Sequence, residues 1–151
     1  MIPSPTRWIC DSCRNPIDSA QHEPALLTWK LIGWANEKQQ RQMQGSFQII
    51  HNHGDCPKGG DYHGQLPLDE CLNPDFLMKV LAQIQSREIS QMDGFEIIKR
   101  VCISGYDEAR EHFQDAINTD VIDHPAIPSN YSQGEITAVV EWVRNGKPPV
   151  P

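Results

Sequence analysis

The sequence predicts an α+β protein, β-rich in its first half and helical in its second, on three observations. Cys10 and Cys13 form a Cys-x-x-Cys turn answered downstream by His51, His53 and Cys56. Two strand-like runs, 25–34 and 46–52, lie between these groups of donors. Helix-start signals with apolar stripes at helical spacing appear only after residue 72. Two sulfurs two residues apart can face one cation, and a His/Cys pair from a second segment completes a tetrahedron, for which Zn2+ is the natural occupant. The prediction is therefore an N-terminal zinc-stapled β-hairpin (1–72) packed on a C-terminal bundle of about four helices (73–147), with a tail at 148–151, in one compact unit.

Composition narrows the function. The 151 residues are enough to bury a core without relying on a metal alone. A formal net charge of −7 and a pI near 5.2 disfavour a surface that tracks nucleic-acid phosphates, since such binding draws on Lys and Arg displacing counterions. Twelve prolines and a mean hydropathy of −0.52 predict long polar connections. Of five cysteines, Cys71 and Cys102 fall outside the ligand pattern and read as free thiols of a reducing compartment. The N-terminal segment lacks the basic and apolar regions of a secretory signal, and no run reaches the roughly 20 apolar residues of a membrane span, so the expectation is a soluble, cytoplasmic protein.

In chain order, residues 1–7 read as a Pro-rich arm leading to Trp8, whose ring can cover the thiol turn. Residues 14–19 (RNPIDS) carry turn-forming character. In 25–34, Leu27, Trp29 and Leu31 share one face and Leu26, Thr28, Lys30 and Ile32 the other. The Gln-rich 36–45 reads as an exposed connection, and 46–52 as the second strand of a long-looped hairpin. Phe47, Ile49 and His51 share a parity, which favours His51 over His53 as a ligand, but His53 has the same parity if the strand continues. Residues 55–69, rich in Gly and Pro, read as a loop.

Asn73-Pro74-Asp75 predicts the start of a helix over 74–88, with Asn as cap and Phe76, Leu77, Val80, Leu81 and Ile84 inward. A second helix over 94–103, opened by a cap at Asp93, turns Phe95, Ile98, Val101 and Cys102 inward. A third over 106–118 buries Tyr106, Ala109, Phe113, Ala116 and Ile117 and leaves a solvated acidic face of Asp107, Glu108, Glu111 and Asp115. Pro125 and Pro128 mark a surface connection. The Ser132/Glu135 capping box opens a last helix carrying Ile136, Val139, Val140 and Val143, which Asn145-Gly146 stops.

The Cys10-Asp11-Ser12-Cys13 turn resembles the zinc knuckle of zinc-ribbon and treble-clef modules. The resemblance covers the N-terminal half and implies a structural zinc held by Cys10, Cys13, Cys56 and either His51 or His53, with His63 or Cys71 as possible substitutes. His51-x-His53-x-Asp55 after an apolar strand resembles the metal signature of metallo-β-lactamase-type hydrolases, although Cys56 stands where that signature places histidine. A redox role for Cys-x-x-Cys requires a following helix, and Arg14-Asn15-Pro16 carries no helix signal. A helix-turn-helix across Ser104-Gly105 would bring acidic side chains against phosphate.

The leading expectation is a non-enzymatic, zinc-stabilised interaction protein of bacterial or phage type that binds a protein partner. The alternatives are a metal-dependent hydrolase or nuclease using His51, His53 and Asp55, and a nucleic-acid-binding regulator.

Overall fold

The structure is a computed structural model that describes residues 7–18, 23–34, 42–58 and 60–150. All but Arg7 of the expected arm at 1–7, most of the connection at 36–45, and the end of the tail at 151 lie outside the described residues.

The fold is α+β, with antiparallel sheets first and, among the described residues, five α-helices after them. A two-stranded hairpin, β1 (Arg7–Ile9) and β2 (Pro16–Asp18), sets Trp8 opposite Ile17 and carries the Cys10/Cys13 turn at its tip. Sequence periodicity misses these strands because three residues are too few to show alternation. A second sheet has the order β4-β3-β5. Its long hairpin, β3 (Ala25–Trp34) with β4 (Gln42–His51), pairs Ala25 with His51 and Leu27 with Ile49, which puts His51 at the end of β4.

β4 begins at Gln42, inside the stretch expected to be an exposed connection. Backbone pairing needs no apolar side chain, and Gln44 is held from its other side by an N–H donated to the Glu88 carbonyl at 2.7 Å. Near Thr28 and Lys30 the register slips, and β4 takes up the extra residue where Ser46 is left-handed at φ 52°. The expected loop at 55–69 likewise contains an edge strand, β5 (Gly64–Pro67), followed by a 3-10 turn (Leu68–Cys71). Gly64 is required there: a Cβ would lie 2.3 Å from the Trp29 indole.

The first helix, α1 (Pro74–Gln85), is capped by Asn73, whose side chain accepts from the Phe76 N–H at 3.0 Å. It buries Phe76 and Val80, and Leu81 faces outward. α2 (Gln91–Cys102) starts earlier than expected because Ser90, not Asp93, is the cap. Its buried face is Gly94, Ile97, Arg100 and Val101, and Phe95 is 47% exposed. The inward face is thus rotated from the expected one, since Gly94 lets α2 close on Ile84 of α1.

The single helix expected over 106–118 is two, α3 (Tyr106–Ala109) and α4 (Phe113–Asn118), separated by turns at 110–112. The acidic face is also corrected. Asp107 and Glu108 are buried beside Arg100 and Arg144, whereas Glu111 and Asp115 remain exposed. α5 (Gln133–Arg144) opens on the expected reciprocal cap between Ser132 and Glu135. It buries Trp142, whose indole N–H reaches the Pro148 carbonyl at 2.9 Å.

Two apolar clusters result. One joins Trp8 and Ile17 of the small hairpin to Leu26, Ile49, Val80, Ile97 and Val101. The other joins Ala109, Phe113, Ile122, Ile136, Val139 and Trp142, with Phe113 stacked on Tyr131. Among the described residues no helix is long and apolar enough to cross a membrane.

Candidate metal centre

Two stretches far apart in sequence, 10–13 and 51–56, bring four donors together. Cys10 and Cys13 come from the β1–β2 tip, His51 from the end of β4, and Cys56 from the loop beyond it. Their ligand atoms all lie within 4.8 Å of one another. Cys10 Sγ is 3.9 Å from Cys56 Sγ, and His51 Nδ1 is 3.4 Å from Cys13 Sγ and 3.9 Å from Cys56 Sγ. A tetrahedral zinc with ordinary bond lengths has S···S edges of about 3.8 Å and S···N edges of about 3.5 Å. The sulfurs are far too distant for a disulfide, which needs about 2.05 Å. The cluster is compatible with one zinc ion.

Local backbone chemistry shapes the turn. The Cys10 N–H donates to the Asn15 carbonyl and the Arg14 N–H to the Cys10 carbonyl, both at 2.9 Å. Arg14 closes the reversal in the left-handed region at φ 66°. The N–H groups of Cys13 and His51 point at Cys10 Sγ from 3.5 and 3.4 Å. Asp11 staples the turn to β4: its N–H donates to the Ile49 carbonyl at 2.8 Å, and its Oδ2 accepts the Ile49 N–H at 2.7 Å.

The protonation of the thiols follows from this cage. Burial drives the Cys10 thiol up, but the backbone N–H groups of Cys13, His51 and Ser12 outweigh it and lower its pKa to about 6. Cys56 is pushed up to about 11, first by burial and then by its hydrogen bonds with Cys13 and Cys10 and the charge on Cys10.

His51 and His53 are separated by what their rings touch. His51 is buried, and its Nε2 lies 3.1 Å from the Pro16 carbonyl. A carbonyl only accepts, so Nε2 carries the proton and the Nδ1 lone pair faces the sulfurs. His53 is exposed beside it, ring centroids 4.7 Å apart. It belongs to a second group of donors with Glu23 and His51. A metal there would need the Nε2 lone pair that the bond to Pro16 removes.

Other expected donors lie elsewhere. Asp55 joins neither group among the described residues; its side chain is 98% exposed and lies 3.5 Å from Lys58. His63 Nδ1 accepts from the Leu31 N–H at 3.1 Å beside β3. Cys71 is wholly buried against the Pro67 carbonyl, and burial with the nearby Glu70 and Asp69 pushes its pKa up to about 12. Trp8, expected to cover the thiol turn, shares a buried cluster with Cys10 and anchors β1 to α2 by donating its indole N–H to the Arg100 carbonyl at 3.0 Å. Asp11 and the Pro16 carbonyl are supports that spacing does not reveal, although an acid between two cysteines is a visible cue. No protein-family model matches the chain, and neither a curated protein nor a solved structure matches it.

Proposed function

We propose that Cys10, Cys13, His51 and Cys56 hold one structural Zn2+ and that the protein works as a non-enzymatic interaction module for a protein partner. The observation that carries the zinc assignment is the spacing of four donor atoms near tetrahedral edges, with the Nδ1 lone pair of His51 facing the thiols. Four protein ligands leave no open coordination position for an activated water, which is the reason for a structural role. Exposed apolar side chains such as Met78, Met92 and Ile127 supply contact area of the kind a protein partner uses.

Native mass spectrometry of protein purified without chelator tests the metal half. One zinc per chain is expected, together with the visible absorption and thiolate charge-transfer bands of tetrahedral cobalt after exchange. A metal-free chain, or one that keeps its metal in the double variant Cys10→Ser/Cys13→Ser, overturns the assignment. Crosslinking the zinc-loaded chain in cells tests the partner half, which fails if no protein is captured.

A further inference from the structure

The residues on both sides of Cys10 are bonded one after another to the distant end of α2 and to α3. The Trp8 indole reaches the Arg100 carbonyl, and the Ile9 N–H donates to Asp107 Oδ2 at 2.7 Å. Asp11 Oδ2 accepts from Arg100 Nη2 at 2.9 Å, and Arg100 Nε donates to Asp107 Oδ1 at 2.5 Å. Arg110 stands 3.8 Å from Asp11 and 3.6 Å from Asp107, and Arg14, just past Cys13, pairs with Glu111.

These bonds link β1 and the end of α2, whose Trp8 and Val101 belong to one apolar cluster, to α3, whose Ala109 belongs to the other, so the thiol turn meets α3 through charge. Arg100 is 6% exposed and Asp107 4%. A buried guanidinium is tolerable only while its carboxylates stay in place, and removing one partner leaves an uncompensated charge. Asp11 is one of those carboxylates. Its position is set from one side by Cys10 and Cys13 and from the other by Ile49, two residues before His51. An ion gathering Cys10, Cys13 and His51 therefore fixes Asp11 as well.

We propose that Asp11 and Arg100 make the metal turn a clasp for the C-terminal helices at 106–144, so that metal binding at the four donors and docking of those helices favour one another. The coupling rests on the reading of the four donors as zinc ligands. Because coupling is reciprocal, loosening the clasp weakens zinc binding by the factor by which losing zinc loosens the clasp. Asp11 acts as a positioning residue and not as a ligand.

Hydrogen exchange on the full chain, read by mass spectrometry with metal content measured on the same samples, tests this. Chelation is expected to speed amide exchange in 106–144 about tenfold or more while α1 changes far less. In zinc-loaded protein, Asp11→Ala should loosen 106–144 and weaken zinc affinity by about ten- to a hundredfold, with Asp11→Asn intermediate because it keeps an acceptor. If Asp11→Ala does not fold, Asp11→Asn and the charge-removing pair Arg100→Met/Asp107→Leu carry the same test. Unchanged exchange in 106–144, or equal loosening of α1, overturns the clasp while leaving the zinc assignment standing. A chain that takes up no zinc overturns both.

Discussion

Three thiols packed within 4.8 Å of one another cannot all be thiolates without a cation to balance them. Cys10, drawn down to about 6, supplies a thiolate at neutral pH, while Cys56, held at about 11, keeps its proton. A zinc ion bound through Cys56 would displace that proton, so protons would compete with the metal. Apparent affinity should therefore rise with pH, by about tenfold per pH unit for each thiol proton displaced, in competition titrations against a chromophoric chelator. A flat profile from pH 6 to 8 would contradict the assigned donors. Periodicity makes His51 and His53 equal in parity; they differ because β4 and β2 bring the Pro16 carbonyl to one ring and not the other. His51→Ala should lose the metal and His53→Ala keep it, with metal content as the readout.

At the scale of elements, capping rules locate helix starts wherever the cap is local. Asn73 and the Ser132/Glu135 pair act as read, because every partner lies within four residues. The start of α2 is misplaced by the competing signal at Asp93, and the division of 106–118 into α3 and α4 leaves no mark in amphipathicity. Gly105 shows why the joint before α3 tolerates so little change. It is left-handed at φ 77°, and an added Cβ would meet Ile136 and Val140 of α5 at 3.2 and 3.3 Å. Gly105→Ala should cost about 1–2 kcal/mol, seen as a lower urea midpoint at unchanged slope. An unmoved midpoint would mean that α3 can shift away from α5.

For the whole molecule, the cluster of Cys10, Cys13, His51 and Cys56 joins parts of the chain that sequence separates. With free zinc at about 1,000 times its dissociation constant, binding adds about 4.1 kcal/mol, or roughly 8–16 °C of melting temperature for a chain of this size. Thermal unfolding with zinc and with chelator should differ by about that much, and coincident curves would show that the ion contributes nothing to the fold. Residue chemistry and local spacing alone determined the α+β class, the long hairpin, the last helix with its cap, and the thiols and histidines to be considered as donors. These depend on groups within a few residues of one another or on donor type. Only the tertiary structure decided that His51 and not His53 faces the sulfurs, that 42–45 and 64–67 are strand, and that Asp107 and Glu108 are buried. Each of those depends on a partner tens of residues away, and the free energy that buries a charge or orients a ring belongs to that partner.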